Sequence, residues 1–205
     1  MNPPVCVLTP VRGSGPYFKE ERLLRSDIRS DPGDRSIQPG RPLSLTLVIV
    51  DVDGGCEPIE GVYVDVWHCN ASGIYSDIAA VGTVGKRFLR GCQRTDAEGR
   101  VSFSTIFPGW YAGRAVHVHL KVRPTSDSSE EFTTQLFFDQ EIVDHILTTF
   151  EPYSEHGKPA VSNHEDEIYG DDGWKLTVSL TPSPDGYVGS MVIGLESLPT
   201  DERVH

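Results

Sequence analysis

Long apolar runs are missing from this 205-residue chain. No stretch approaches the roughly 18 to 20 apolar residues that a membrane-spanning helix needs. The chain opens Met1-Asn2-Pro3-Pro4, which lacks the apolar segment of a secretory signal peptide. We therefore expect a cytoplasmic protein if Met1 is the native start, and an exported one if a signal peptide has been removed. The compartment stays unknown from the sequence.

Cysteine is scarce, and its spacing excludes two common kinds of site. The four cysteines are Cys6, Cys56, Cys69 and Cys92, and no pair has the Cys-x-x-Cys spacing of a zinc site or a redox motif. Their even number is compatible with one or two disulfides in an oxidising compartment, and with four thiols in a reducing one. Both alternatives remain open at this point.

Positive charge is also in short supply. Lysine and arginine total 18 against 30 aspartates and glutamates, so the net charge is -12. A chain of this sign is repelled by nucleic acid and by anionic membranes, and we expect neither as a partner. The acidic run at 163–167 and the pair Asp171-Asp172 are interpreted as solvated loops that keep the protein in solution.

What the chain does contain is glycine, proline and short stretches of alternating apolar residues. With 20 glycines, 15 prolines and 38% hydrophobic residues, it is typical of a turn-rich β protein. The predicted strands cover residues 43–50, 62–67, 101–104, 116–122, 132–138, 174–180 and 187–195. Hairpin turns are predicted at 96–99 and 182–186, and a single helix at 141–149. The prediction is one all-β domain, 1–205: an antiparallel β-sandwich of about seven or eight strands with long loops, over which residues 1–40 pack as an extended arm.

The strand at 116–122 carries two histidines two positions apart. Because side chains two apart lie on one face of a strand, His117, His119 and Lys121 share a face, opposite the valines and leucine. Clustered imidazoles are metal-ligand candidates. The alternative is that they are two polar residues on a solvated face, and the pair alone does not name a metal.

Two tyrosines stand where further metal donors are expected. Tyr75 follows the turn at 70–73, and Tyr111 lies six residues before His117. A phenol has a pKa of about 10 and is a poor ligand for most divalent ions. Fe(III) is acidic enough to bind two phenolates, whereas two histidines and a carboxylate suit Fe(II). Each tyrosine taken alone is equally compatible with a half-buried aromatic that hydrogen-bonds through its hydroxyl.

These motifs together resemble a known family. They are the run GVYVDVWHCNASGIYS at 61–76, FLRG at 88–91, YAGRAVHVH at 111–119, TQLFF at 134–138 and Gly15-Pro16-Tyr17 in the arm. The chain is similar to the intradiol ring-cleavage dioxygenases of the protocatechuate/catechol dioxygenase superfamily, and within it to the compact single-domain branch. The similarity extends over most of residues 6–195.

The resemblance implies a cofactor and a reaction. It implies a non-haem Fe(III) ion held by Tyr75, Tyr111, His117 and His119. The implied substrates are a catechol-type diol and O2. The ring is cleaved between its two hydroxylated carbons, which gives a cis,cis-muconate-type product. A homodimer is a further hypothesis that the sequence does not test.

The resemblance also implies roles for four residues beside the metal. Tyr111 leaves the metal when the diol binds and takes up a proton. Arg114 contacts the substrate and stabilises the negative charge that develops on it. Gln135 orients the arginine or the oxygen intermediate. Tyr17 lines the mouth of the substrate site.

Other interpretations remain open. The patterns around 53–66 and 95–103 are shared by non-catalytic transthyretin-like β-sandwich binding modules, and fold alone does not fix function. A cupin or copper protein is disfavoured because Lys121, Val122, Arg123 and Pro124 follow the histidines where a glutamate is needed. The identity of the catechol is undetermined. The net charge does not exclude an anionic substrate such as protocatechuate, because the local field around Arg114, Lys121 and Arg12 could differ from that of the whole chain, although no clear carboxylate pocket is indicated. A plain, alkylated or chlorinated catechol, a hydroxyquinol and a lignin-derived diol all remain open.

Overall fold

The computed structural model describes residues 6–126 and 128–196. Residues 1–5 of the predicted arm lie outside this range. They include Met1, on which the compartment prediction depends. Residues 197–205 of the predicted single domain also lie outside it.

Nine strands, two α-helices and three short 3-10 helices (Ala79–Val81, Asn163–Glu165 and Gly173–Leu176) make up the regular structure of these residues. The strands are β1 (Pro42–Asp51), β2 (Glu57–Pro58), β3 (Tyr63–Trp67), β4 (Arg90–Arg94), β5 (Arg100–Ile106), β6 (His117–Arg123), β7 (Phe132–Phe138), β8 (Thr177–Pro182) and β9 (Tyr187–Leu195). The α-helices are α1 (Gln140–Thr149) and α2 (Tyr153–His156). None of the helices described is long and apolar enough to cross a membrane.

The strands join into one mixed sheet. Their order is β2-β1-β9-β8-β7-β6-β3-β4, and β5, which lies off this path, also pairs with β1. Two of the pairs, β1 with β9 and β7 with β8, are parallel. The prediction of a mostly β fold is confirmed, but a wholly antiparallel arrangement is wrong. Alternation of apolar residues reports which face of a strand is buried and carries no information about the direction of its neighbour.

One predicted hairpin also differs from the structure. The turn before Gly99 forms, with the amide of Asp96 donating to the carbonyl of Arg100. The strands on either side then separate, because β4 pairs with β3 whereas β5 pairs with β1. The closing hairpin between β8 and β9 forms as predicted.

The histidine strand β6 lies in the middle of the sheet, between β3 and β7. All seven of its residues are buried. Its apolar face packs into the main core with Val118, Leu120 and Val122. Its polar face is covered by the segment that precedes β1, which we call the arm. The solvated-face alternative for His117 and His119 is therefore wrong.

The described part of the arm, residues 6–41, contains isolated bridges and no longer strand or helix. It is anchored by hydrogen bonds to the body, such as those from the Arg25 guanidinium to the carbonyl of Arg90. A disulfide joins Cys6 at its start to Cys56 in the turn after β1. Cys69 and Cys92 are buried thiols, and burial raises the pKa of each to about 12.

Candidate metal centre and active site

Strand pairing brings the two histidine rings together. In β6, His117 lies opposite Phe137 and His119 lies opposite Gln135 of β7. The Nε2 atoms of His117 and His119 are 3.2 Å apart, and the rings are nearly perpendicular. Both side chains are almost completely buried. The two Nε2 atoms therefore point at a common position inside the protein.

A hydrogen bond fixes the tautomer of His117, and burial favours the neutral form of both imidazoles. The Nδ1 of His117 is 2.7 Å from the carbonyl of Ala115, so Nδ1–H donates and the Nε2 lone pair is left for a ligand. Burial, with a smaller contribution from Arg114, lowers the pKa of His117 to about 3. Burial and the charge of His117 lower the pKa of His119 well below its usual value. Both rings are neutral at pH 7, as metal-binding histidines must be.

A tight turn positions Tyr75. The side-chain oxygen of Asn70 accepts from the amides of Ser72 and Ile74, which closes the turn. Gly73 has a φ of 79°, and a Cβ there would lie 2.0 Å from the carbonyl oxygen of Trp110. Only glycine allows this approach, which brings the turn against the segment that carries Tyr111. The centroids of the Tyr75 and Tyr111 rings are 5.7 Å apart.

The hydroxyl of Tyr75 is buried and has no hydrogen-bond partner in the described structure. Its ring centroid is 6.1 Å from that of His119. Burial raises the pKa of this phenol well above its ordinary value. A buried polar group without a partner is costly, and such groups are rare. The orphaned hydroxyl beside two inward-facing imidazole nitrogens therefore indicates a site shaped for a cation.

Tyr111 lies on a turn whose third residue, Gly113, has a φ of 84°. Its hydroxyl is 3.4 Å from Nε2 of His117 and 3.4 Å from Nη1 of Arg114. It is half-buried, whereas Tyr75 is almost fully buried. The four residues predicted as metal ligands thus converge on one place.

Arg114 and Gln135, two of the four residues predicted to act beside the metal, contact each other. Nη2 of Arg114 donates to Oε1 of Gln135 over 2.5 Å. Nε2 of Gln135 donates in turn to the carbonyl of Gly13 over 2.8 Å. Gln135 therefore connects the arginine to the arm.

Asp166 is a site residue that the sequence analysis missed. Its Oδ2 accepts from Nε of Arg114 at 2.9 Å and from the amide of Ala115 at 2.8 Å. The side chain is 1% exposed. Asp166 belongs to the acidic run that was interpreted as a solvated loop, and that interpretation is wrong for this residue. No sequence spacing links it to Arg114, which is 52 positions away.

The arm covers the site with an aromatic ring. Tyr17 stacks on Tyr75 with centroids 4.4 Å apart and meets Tyr111 edge-on at 5.5 Å. Gly15, with a φ of 64°, lies so close to His119 that a Cβ would be 3.2 Å from its Cε1 atom. Tyr17 thus lies against both tyrosines that were predicted as ligands, and its place at the mouth of the substrate site stays a prediction.

Trp67 is a second residue that the sequence analysis did not assign to the site. Its indole lies parallel to the His119 ring, with centroids 4.8 Å apart. A sequence signal for Trp67 was available, because it is the last residue of β3 and belongs to the motif at 61–76 that also contains Tyr75. The adjacent His68 has both ring nitrogens within hydrogen-bond distance of core atoms, the carbonyl of Cys69 and the hydroxyl of Thr105.

The side chains that converge here indicate which kind of metal ion they could bind. Over residues 6–126 and 128–196, no three His, Cys, Asp or Glu side chains form a cluster that could bind a metal ion. The oxygen donors beside the histidine pair are phenols. Two neutral imidazoles and two phenols suit a hard, strongly Lewis-acidic trivalent ion better than a divalent one. The residues present fit Fe(III).

A family model described as Dioxygenase matches residues 14–156, more than half of the chain. The chain belongs to the intradiol ring-cleavage dioxygenase family. An intradiol ring-cleavage dioxygenase from Tetranychus urticae superimposes with a TM-score of 0.83 at 32% identity, covering 96% of this chain and 98% of that one.

Curated members of the dioxygenase family are similar over shorter stretches. Catechol 1,2-dioxygenase 1 of Acinetobacter lwoffii is 31% identical over 46% of this chain and 35% of its own length. The protocatechuate 3,4-dioxygenase beta chain of Burkholderia cepacia is 32% identical over 60% of this chain and 56% of its own length. The chain thus spans about a third to just over half of these relatives.

Proposed function

We propose that this protein is a non-haem Fe(III)-dependent intradiol dioxygenase. It uses O2 to cleave a catechol-type diol between the two hydroxylated carbons, which gives a cis,cis-muconate-type product. The observation that carries the proposal is the pair of facing imidazole nitrogens with two phenols beside them, one of whose hydroxyls is buried without a partner. Family membership supports the same conclusion.

In this proposal Tyr75, Tyr111, His117 and His119 hold the metal. When bound, Fe(III) supplies the Lewis acidity that lowers the pKa of the diol and prepares its ring for attack by O2. His117 is locked in one tautomer by the carbonyl of Ala115, and His119 is held against Trp67. The protein thereby fixes the ligand directions before the substrate arrives.

Tyr111 is the residue best placed to exchange with the substrate. It is half-buried and lies on a glycine-containing turn, whereas Tyr75 is enclosed. As a phenolate, its oxygen accepts one proton from a diol hydroxyl and becomes a neutral phenol. Nη1 of Arg114, 3.4 Å from that oxygen, stabilises the negative charge before the transfer and then faces the substrate oxygen.

Apolar side chains, most of them aromatic, form the wall that excludes water from the site. Tyr17, Phe18 and Ile78 pack against the cluster of Trp67 and Tyr75. Tyr17 comes from the arm and stacks on Tyr75, so the arm closes this wall. A flat aromatic diol fits beside such rings, and the low local polarity strengthens the electrostatic effect of Arg114.

The proposal is tested by loading the purified protein with Fe(III) and recording its visible spectrum. Phenolate ligation should give a broad charge-transfer band. Catechol added without oxygen should shift the band to longer wavelength, and admitting air should consume the diol and release a muconate identifiable by mass spectrometry. A loaded protein that stays colourless and leaves catechol intact would contradict the proposal and favour the transthyretin-like binding module.

We further propose an oxidising compartment, which corresponds to the exported alternative. The Cys6–Cys56 disulfide supports it, because structural disulfides persist in such compartments and are rare in the cytosol. The substrate partners proposed are the diol and O2, and a homodimer stays a prediction. The net charge of -12 argues against nucleic acid and anionic membranes as partners.

A further inference from the structure

The guanidinium of Arg114 is held on three sides by three different groups. Nε donates to the carboxylate of Asp166, Nη2 donates to the amide oxygen of Gln135, and Nη1 faces the hydroxyl of Tyr111. The carboxylate occupies only the Nε side. Nη2 is bound to Gln135, and Nη1 is therefore the group that faces Tyr111 and the active site.

Asp166 is itself rigidly placed. Its Oδ1 accepts from the amide of Ile168 at 2.8 Å, and its Oδ2 accepts from the amide of Ala115. The start of the same loop is fixed by Asn163, whose side chain donates to the carbonyl of Phe138 over 2.7 Å. The carboxylate therefore provides a fixed position from which the arginine can be oriented.

The arm closes the arrangement from the other side. Arg12 donates through Nε to the carbonyl of Ile168 and forms an ion pair with Asp172, both in the loop that carries Asp166. The next residue, Gly13, accepts from Gln135. A closed ring of contacts thus runs from the loop through Asp166, Arg114 and Gln135 to the arm, and through Arg12 back to the loop.

The burial of this ion pair distinguishes it from the surface pairs. The Asp166 side chain is 1% exposed and that of Arg114 is 17%, whereas the Lys158–Asp144 pair is 49% and 35% exposed. Exposed pairs contribute little to stability and do not fix geometry. A buried carboxylate with hydrogen bonds to both oxygens holds its partner in one orientation.

We propose that Asp166 is a positioning residue for catalysis. Through Nε of Arg114 it directs the guanidinium at the Tyr111 hydroxyl and at the place where negative charge develops on the diol. Asp166 contacts neither the substrate nor the metal. This role rests on the proposed dioxygenase function.

The test is a double-mutant cycle with Asp166→Asn and Arg114→Met. Since outer partners of a site commonly cost about 10- to 100-fold when removed, we expect Asp166→Asn to lower kcat by such a factor with a much smaller change in KM. In the Arg114→Met background the same change should cost less than about twofold, because the residue acts through the arginine. A full loss repeated in that background would overturn the proposal.

Asp171→Asn is the matched control, since it removes an exposed carboxylate from the same loop. It should leave kcat unchanged, which separates the effect of Asp166 from that of the loop's charge. If Asp166→Asn folds poorly, Arg114→Lys tests the same Arg114–Asp166 contact by changing the arginine. Lysine keeps the charge but has no Nε–H fork, so a loss of kcat is expected, and full activity would overturn the proposal.

A measurement on the metal-free protein keeps this inference separate from the dioxygenase activity. In nitrogen-15 NMR spectra, the Nε–H proton of Arg114 should exchange slowly with solvent in the wild type and in Asp171→Asn. It should exchange at least about tenfold faster in Asp166→Asn, since a lost charge-assisted bond is worth over 1.4 kcal/mol. Unchanged exchange would contradict the positioning role even if the enzyme cleaves catechol. If the wild type cleaves no catechol, only the proposed function is contradicted. The exchange rates would still show whether Asp166 holds Arg114.

Discussion

Tyr75 is the residue whose chemistry depends most directly on a bound cation. Its hydroxyl is buried and unpartnered in the described structure, and in the proposed function the metal is the partner that it lacks. We predict that Tyr75→Phe lowers affinity for Fe(III) by at least about tenfold, which is the range seen when supporting groups of metal sites are lost. The metal-free variant should be at least as stable as the wild type, because an unsatisfied buried hydroxyl is removed.

Metal content after loading and dialysis measures the first effect, and urea unfolding of the metal-free forms measures the second. Tyr63→Phe, which removes a phenol hydroxyl from the far end of β3, is the control and should bind iron like the wild type. Equal iron content in Tyr75→Phe and the wild type would show that this phenol is not a ligand.

Asp166 also predicts a pH dependence of stability. Burial would raise the pKa of its carboxyl, but hydrogen bonds from the Ala115 amide and from Arg114 outweigh burial and lower it. A carboxyl whose pKa is lower in the folded state stabilises the fold above its unfolded value, about 3.9, and loses that contribution as pH falls through the folded value.

We therefore expect Asp166→Asn to be less stable than the wild type by about 2 kcal/mol at pH 7, because a buried partner of Arg114 is removed. The difference should shrink steadily below about pH 4, where the carboxyl of the unfolded wild type takes up a proton before the folded one, whose pKa is lower. Urea unfolding of both proteins between pH 7 and pH 3 measures this. A difference that is constant over the whole range would indicate that the charge of Asp166 contributes nothing.

Sequence reasoning named residues at this scale where the signal is local. His117 and His119 were named as ligand candidates because two-residue spacing on a strand places both on one face. Tyr75 and Tyr111 were named as ligands through the resemblance of their motifs to a known family, and the structure places all four side chains close together. Asp166 was not found, since its partner lies 52 positions away and only the folded loop brings them into contact.

At the scale of elements, the arm is the feature that changes the interpretation of β6. Alternation along β6 correctly separated polar from apolar residues, but it could not show that the polar face is covered as well. The covering contacts are long-range ones, such as that of Lys121 with the ring of Phe18 at 3.7 Å. Likewise, the parallel pairing of β1 with β9 joins two distant parts of the chain. Neither feature has a local sequence signal.

The close approach of the arm to the site predicts different outcomes for two neighbouring glycines. Gly15 has a φ of 64° and faces His119, with a potential Cβ contact of 3.2 Å, whereas Gly13 has no atom within 4 Å of a Cβ position. Gly15→Ala should destabilise the protein by about 1–2 kcal/mol, because a left-handed backbone and a tight contact are both strained. It should also raise KM for the diol, since Tyr17 is displaced from Tyr75.

Gly13→Ala is the matched control, because it keeps the carbonyl that accepts from Gln135 and has space for a methyl group. Thermal unfolding and steady-state kinetics of the two variants test this prediction. Equal effects of the two substitutions would mean that the arm does not contact the site closely in solution.

At the scale of the whole molecule, charge bears on the choice of substrate. The chain carries a net charge of -12, so any anion approaches it against a negative field. The three cations that the sequence offered for a substrate carboxylate are each paired with a carboxylate of the protein. Arg12 is paired with Asp172, Arg114 with Asp166 and Lys121 with Glu131.

This pairing predicts a preference for uncharged diols. A substrate carboxylate that bound one of these three cations would have to displace its partner, and the apolar wall of Tyr17, Phe18 and Ile78 carries no charge. We expect kcat/KM for catechol or 4-methylcatechol to exceed that for protocatechuate by at least about tenfold, which corresponds to about 1.4 kcal/mol. Higher salt should reduce the ratio of the two kcat/KM values, because it screens the negative field of the whole molecule. It should not abolish the preference, because the ion pairs inside the site are screened little. If protocatechuate were the better substrate, one of the three ion pairs would have to open on binding. Repeating the comparison with Asp172→Asn and Glu131→Gln would then identify which cation is released.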